Sequence, residues 1–340
     1  MKPGDVPKCV EHLAAHPVLG PRYGSAIEYL PTAIRSVLGL DSCVAVIFEE
    51  IQGSTTRFLG TGLSVFVSDE FLQEFKTTPR FWLGPELAKR IACGNSPLLS
   101  DVAVRDANST VGLNLLVWHC TIHPADMNRP EVGVHVMAAF AKYHLGFRLR
   151  EFIVQSDCFE HFVAMQTAGG LYFHQVENYY ANFPEITALN FGNEPRHIGM
   201  SRDMGLSGGQ GASWGGSLFV YYERPQFCFS RSEQRLLLAA LDGGTDEELS
   251  EELSISLAAV KKEWRMIYDR VAASHPELVP TNAYLEGLTQ DRGKQKKQRL
   301  LAYLREHPEE LRPVSRKLLQ QEAARRRSAQ GAKVAFDHDN

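Results

Sequence analysis

The chain has 340 residues and a formal net charge of -4, and 44% of its residues are hydrophobic and 22% charged. These proportions are typical of a folded protein with roughly two domains, and they exclude a disordered or uniformly basic chain. No stretch of about 18 apolar residues is present, so we expect no membrane-spanning helix, and no apolar run typical of a signal peptide opens the chain. The six cysteines are scattered without a CxxC pair, which is typical of reduced thiols in the cytoplasm.

The sequence pattern of the first 225 residues predicts alternating helices and strands. Apolar residues at helical spacing predict the helices, and runs rich in β-branched and aromatic residues predict the strands. In chain order the predicted elements are a helix at 23–38, strands at 43–48 and 58–67, helices at 69–75 and 84–93, strands at 98–99 and 111–122, a helix at 129–152, a helical segment at 157–183, a Gly-rich loop at 191–216 and a strand at 217–222. This order predicts one mixed α/β domain of the α+β kind over residues 1–225, with a single sheet covered by helices.

The same order of elements resembles that of GAF and PAS-like sensor domains. The resemblance implies a domain that responds to a small-molecule or protein signal, and the sequence leaves the ligand unknown. The Gly-rich loop lacks the Lys-Ser/Thr ending of a phosphate-binding loop, so no nucleotide site is predicted there.

Imidazole and thiol side chains are grouped at His119, Cys120 and His123, which raises the question of a metal site. Adjacent residues of a strand point to opposite faces of the sheet, so His119 and Cys120 do not converge on one ion. We therefore predict no metal and no cofactor. No ordered Ser, His and Asp triad and no paired carboxylate motif is present, so we predict that the protein is not an enzyme.

Three helix starts with hydroxyl N-caps follow the first domain. Ser230 and Thr245 are each followed three residues later by a glutamate, which is the capping-box pattern. Ser256 is the third N-cap, and it closes a short turn between the second and third helices. Two short capped helices joined by a tight turn predict a helix-turn-helix domain at 226–275.

Particular residues of this region resemble the LuxR-type DNA-binding domain. They are the run FSRSEQRLLL at 229–238, Gly243, the run LSEELSIS at 249–256, Val260 with Lys261, and Ile267 with Tyr268. The resemblance implies that the third helix enters the major groove of double-stranded DNA. The side chains that it implies for DNA binding are Lys261, Lys262 and Arg265 at the bases, Arg270 near the backbone, and the N-cap Ser256.

The second helix of this region departs from the LuxR-type pattern. Its first eight residues, TDEELSEE at 245–252, hold five carboxylates and no cation, and carboxylates repel a phosphate backbone. Ala259 and Glu263 stand where the family usually has Thr and often has His. These departures leave open a second hypothesis, in which the domain is an adaptor that regulates by protein–protein interaction without specific DNA binding.

The last segment, at 276–340, is predicted as a basic helical extension. Lysines and arginines outnumber acidic residues between 291 and 327, and Leu300, Leu301, Leu304 and Leu311 supply an apolar stripe. Two uses of the segment stay open at this stage, a phosphate clamp and a solvated basic helix.

Together these features predict a cytoplasmic, bacterial transcription regulator of the LuxR family that binds double-stranded DNA. Helix-turn-helix readers bind two half-sites with matching protein symmetry, so we expect a homodimer. The apolar faces available for it are the helix at 129–152 and the leucines at 300–311. The signal, the operator and the direction of regulation are not specified by the sequence.

Overall fold

A computed structural model describes residues 1–17, 19–77, 82–156, 172–174, 196–203, 214–220, 222–279, 292–322 and 324. The chain forms two compact units. The first holds residues 1–144 and 148–220, and the second holds 145–147 and 221–340.

The first unit contains a six-stranded mixed sheet with the order β1-β2-β3-β4-β6-β5. The strands are β1 (Cys43–Gln52), β2 (Thr55–Val67), β3 (Leu113–Ile122), β4 (Leu149–Ser156), β5 (Tyr172–His174) and β6 (Arg196–Ser201). Strands β3 and β4 are parallel, and the other neighbours are antiparallel. The sheet with its helices confirms the predicted mixed α+β class.

The helices of the first unit are α1 (Val6–Ala15), α2 (Leu19–Tyr23), α3 (Leu30–Val37), α4 (Asp69–Thr77), α5 (Leu83–Ala92), α6 (Asp101–Ser109), α7 (Pro130–His144) and α8 (Trp214–Val220). Helices α3 and α5 pack their apolar stripes against alternate residues of β2 and β3, so that Ile34, Leu87, Leu63 and Leu116 share one buried core. Gly60 is required where β2 meets β3, because a Cβ there would collide with the Thr121 carbonyl oxygen.

One predicted element of the first unit is wrong in type, and another is right in type but too long. Residues 217–222 were predicted as a strand, but 214–220 form helix α8 with Leu218 and Phe219 buried. A short, continuous apolar run fits a buried helix as well as a strand. The predicted helix at 129–152 ends at His144, and β4 follows. Gly146 adopts a φ of 84° just after the helix, which is the left-handed conformation that ends helices.

Other predicted elements are changed in extent. Strand β6 lies inside the predicted loop at 191–216, and Leu98 forms a single bridge with Val67 instead of a strand. Helices α1 and α6 were not predicted, although Ser100 caps α6 by accepting a hydrogen bond from Ala103 N. The predicted helix at 157–183 lies outside the described residues except for 172–174, which form β5.

The second unit is helical. Its α-helices are α9 (Arg231–Ala240), α10 (Asp246–Leu253), α11 (Leu257–Ala272) and α12 (Arg292–Glu306). The first three begin at the predicted N-caps. Both capping boxes form, and the Ser256 hydroxyl accepts from Ala259 N. Ser254 takes a left-handed φ of 54°, which turns the chain between α10 and α11.

Helix α12 packs into the same hydrophobic core as α9, α10 and α11. Leu300, Leu301 and Leu304 are buried there together with Trp264 and Ile267. Residues 292–311 therefore belong to the second unit instead of forming a separate basic extension. The leucines that were predicted as an available dimer face are covered by the chain's own core.

A short segment after α12 closes this core through hydrogen bonds. The buried Glu310 carboxylate accepts from Gln226 N at 2.7 Å and from Phe227 N at 2.9 Å. The Gln234 amide donates to the Arg312 carbonyl oxygen at 2.7 Å. These bonds join the start of the unit to its end. Over the described part of the chain, none of the helices has the length and apolarity needed to cross a bilayer.

Candidate nucleic-acid interface

Helix α11 has one buried and one exposed side. Val260, Trp264, Ile267 and Val271 repeat at three- and four-residue spacing and are buried. Lys261, Lys262 and Arg265 are exposed. The exposure of these three cations on one helix was predicted from this apolar stripe, and the structure confirms it. Their contacts with DNA bases stay a prediction.

The hydroxyl of Ser256 caps the N-terminus of α11. It accepts from Ala259 N at 3.2 Å while the residue itself is exposed. The cap leaves the other amides of the first turn directed out of the helix end, where they favour an anion. The predicted place of Ser256 in the DNA-binding set stays a prediction.

Arg270 is bound inside the second unit. Its guanidinium lies 3.2 Å from the carboxylate of Glu233, whose side chain is 0% exposed, while the Arg270 side chain is 31% exposed. The pair joins α11 to α9, and it supplies the opposite charge that a buried carboxylate needs. Arg270 differs in this from Lys261, Lys262 and Arg265, and its predicted place near a DNA backbone stays a prediction.

The acidic helix α10 exposes most of its carboxylates. Glu247, Glu248, Glu251 and Glu252 are exposed. Hydrogen bonds from the backbone and the side chain of Thr245 lower the pKa of Glu248, so this carboxylate stays charged near the N-terminus of α10. The helix presents a negative surface, as the sequence predicted.

One carboxylate of α10 is neutralised from α12. The Lys297 ammonium lies 3.1 Å from an Asp246 carboxylate oxygen and donates to the Gly244 carbonyl oxygen at 3.2 Å. The same ammonium lies 5.1 Å from the centre of the Trp264 ring, at cation–π distance. Lys297 thus connects the start of α10 with α11.

A cleft of about 570 Å³ opens between α10, α11 and α12. Its lining residues are Asp246, Lys261, Trp264, Arg265, Tyr268, Asp269, Lys296 and Lys297. Trp264 and Tyr268 are stacked with their ring centres 5.6 Å apart. The cleft is therefore lined by four cations, two carboxylates and two aromatic rings, and it is called the cationic cleft below.

Three cations of the cationic cleft have no acidic partner within the described ranges. Lys261, Arg265 and Lys296 form no ion pair there, in contrast to Lys297. The sequence predicted Lys261 and Arg265 as site residues and missed Lys296. The spacing of Leu300, Leu301 and Leu304 could have indicated Lys296. It is typical of a helix that packs against a core, and such packing places the first turns of α12 beside α11.

The histidine and cysteine group of the first unit does not bring its three ligand atoms within 4.8 Å of one another, and the absence of a metal there stays a prediction. Burial, and to a smaller extent the nearby His12, lowers the pKa of His119 to about 3, so the imidazole is neutral. Across the residues that are described, only Glu223, His307 and Glu309 place three possible ligand atoms within 4.8 Å of one another. Within that group, His307 Nδ1 and Glu309 Oε1 lie 3.0 Å apart, at hydrogen-bond distance.

A small apolar cavity of about 30 Å³ lies between α7 and strands β1 to β3. Val46, Phe48, Val117 and Phe140 are among the side chains around it. This volume holds about one or two water molecules. Its lining is almost entirely apolar.

Comparison with protein-family models, with curated proteins and with solved structures finds no match to any of them. The resemblance to the LuxR-type domain therefore rests on the residues and helix geometry described above.

Proposed function

We propose that this protein is a DNA-binding transcription regulator whose residues 226–275 act as a helix-turn-helix domain of the LuxR type. Helix α11 is the reading helix, and it enters the major groove of double-stranded DNA. The observation that carries the proposal is the row of exposed cations Lys261, Lys262 and Arg265, which form no ion pair with any described residue and lie beside a buried apolar stripe. Lysine and arginine donate well to guanine O6 and N7 and to phosphate oxygens.

The first unit is the sensor of the proposed regulator, comparable to GAF and PAS-like domains. Its sheet is covered by several helices, and its apolar cavity beside α7 offers a place for a small signal molecule.

The protein acts in the cytoplasm of a bacterium as a homodimer. Helix α7 supports the dimer, because Val134 and Met137 are exposed on it at 66% and 39%. Light scattering with and without DNA tests this, and a monomer in both conditions rejects it.

An arginine substitution tests the reading role of α11. A preferred duplex is first selected from a random pool with the full chain. We then expect Arg265→Ala to cost about 1 to 3 kcal/mol on that duplex and to narrow its advantage over random DNA, because a bidentate base contact is lost. Fluorescence anisotropy with both duplexes measures the two dissociation constants.

The matched control is Arg235→Ala, which removes an exposed arginine from α9. We expect this variant to keep the ratio between preferred and random DNA. If Arg265→Ala also leaves that ratio unchanged, α11 does not read bases and the proposal fails.

The exposed carboxylates of α10 favour a second candidate function, an adaptor that binds another protein. Glu247, Glu251 and Glu252 form a negative surface beside α11. A salt series separates the two functions. DNA binding weakens steeply with salt through counterion release, whereas the adaptor shows no DNA binding at low salt and retains a protein partner without DNA.

A further inference from the structure

The unpaired cations of the cationic cleft come from two helices that are far apart in the chain. Lys261 and Arg265 are one turn apart on α11, so they share a side of that helix. Lys296 comes from the second turn of α12 and faces the same space. Such an arrangement brings like charges together, none of the three is paired with an acid among the described residues, and an anion relieves their repulsion.

The wall that carries Lys296 is rigidly built. Leu300, Leu301 and Leu304 anchor α12 in the core with exposures of 0%, 7% and 1%. Lys297 ties the same turn to Asp246. The backbone of α12 at Lys296 is therefore fixed before any ligand arrives, so that binding has to order only the lysine side chain.

The chemistry of the cleft fits a phosphate group. Ammonium and guanidinium groups form charge-assisted hydrogen bonds with phosphate oxygens. The two carboxylates of the cleft, Asp246 and Asp269, oppose an anion, but Asp246 is already neutralised by Lys297. Lys261, Arg265, Lys296 and the single carboxylate of Asp269 remain, so the unneutralised side chains of the cleft carry a net positive charge.

We propose that the cationic cleft binds a backbone phosphate of the DNA, and that Lys296 of α12 clamps this phosphate against Lys261 of α11, which leaves Arg265 for the base contact. This inference rests on the proposed DNA-binding function and adds a second contacting helix to it. A rigid clamp of this kind adds affinity for every duplex and sets the depth of α11 in the groove, and it carries no base specificity of its own.

The test is Lys296→Gln in the full chain, with a random-sequence duplex titrated over a series of salt concentrations. We expect the dissociation constant to rise by roughly three- to tenfold at low salt. The slope of log K against log salt is expected to fall by about one, because one fewer counterion is displaced. The ratio between preferred and random DNA is expected to stay the same.

The matched control is Arg299→Gln. Arg299 is an exposed cation of the same helix that does not line the cleft. We expect a smaller change in slope for this control. The double variant Lys261→Gln with Lys296→Gln is expected to lose less affinity than the two single losses combined, because both cations hold one phosphate.

Three results overturn the inference. In the first, Lys296→Gln behaves like Arg299→Gln. In the second, Lys296→Gln binds DNA more tightly, which shows that α12 obstructs the reading helix. In the third, calorimetry with pyrophosphate shows binding that depends on Lys296 while the wild-type chain binds no DNA, which assigns the cleft to a free phosphate compound. Wild-type binding to DNA with no effect of Lys296 refutes the clamp alone, whereas absence of DNA binding refutes the proposed function.

Discussion

The two units differ in the ion pairing of their charged side chains. In the first unit, several arginines are bound to acids: Arg57 and Arg129 share Asp126 and Glu50, and Arg90 binds Glu74 and Glu86. In the described part of the second unit, three of the four cations that line the cationic cleft form no ion pair, and the fourth, Lys297, binds Asp246. Charges that are neutralised within the fold exert little attraction on an anionic partner, while unpaired cations on a rigid frame do. Counts of charged residues are therefore a poor guide to function until the ion-pair partner of each charge is known.

The contrast depends on α12 being part of the core, and Leu304→Ala tests this most strongly. Leu304 is 1% exposed among the buried leucines. Removing its side chain is expected to destabilise the second unit by about 2 to 5 kcal/mol, through lost burial and the cavity that remains. Hydrogen exchange measured on peptides from 231–272 is expected to speed up, and DNA affinity to fall with it.

Gln298→Ala is the control for that substitution, because Gln298 is exposed on the same helix. We expect its exchange rates to match the wild type. Slow, unchanged exchange in Leu304→Ala would show that α12 is a solvated tail, and the cleft would then lack its second wall.

Glu310 sharpens the contrast between the two units, because its burial in the second unit disfavours the charged carboxylate. Burial raises the pKa of Glu310 from its ordinary 4.5 to about 7, against the hydrogen bonds from Gln226 N and Phe227 N. The folded state holds its proton more tightly than the unfolded state. The resulting stabilisation is complete below about pH 4.5 and is lost as the pH rises through 7.

We therefore expect the unfolding free energy of the second unit to fall by about 1 to 3 kcal/mol between pH 5 and pH 8 because of Glu310. Glu310→Gln is expected to flatten this dependence, and Glu306→Gln, an exposed neighbour, to leave it unchanged. Urea unfolding at the two pH values measures it. An unchanged slope in Glu310→Gln would assign the pH dependence to other groups.

The paired charges of the first unit give the smallest expected effect on function. Hydrogen bonds from Arg57, and then from Arg129, hold the pKa of Asp126 at about 2, below its ordinary 3.8. This stabilisation is present above about pH 4 and is lost as the pH falls through 2. Asp126→Asn removes it at neutral pH, so we expect faster hydrogen exchange in 43–52 and a lower Tm for the first unit.

DNA affinity is expected to be unaffected in Asp126→Asn, since the change lies in the other unit. Asp106→Asn is the matched control and should alter neither property. A strong loss of DNA affinity in Asp126→Asn would mean that the paired charges of the first unit take part in binding, and the contrast between the units would not hold.

Local signals in the sequence predicted the helices of 229–272 well. Ser230, Thr245 and Ser256 satisfy the amides at their own helix starts, so each cap is decided within four residues. The apolar stripe of α11 likewise follows from helical spacing, and it determines which side Lys261 and Arg265 occupy. In the first unit, strands β1, β2 and β3 were predicted for a similar reason, since alternation and β-branched runs are local properties.

The tertiary structure decided what local patterns leave open. The apolar run at 217–222 suits a helix or a strand, and its packing in the fold made residues 214–220 a helix. The leucines at 300–304 suit a dimer face or an internal seam, and their burial against Trp264 and Ile267 is a contact between distant parts of the chain. Lys296 became a candidate site residue for the same reason. The charge of Lys296 is evident from the sequence, but its neighbours depend on the packing of α12, which no local pattern specifies.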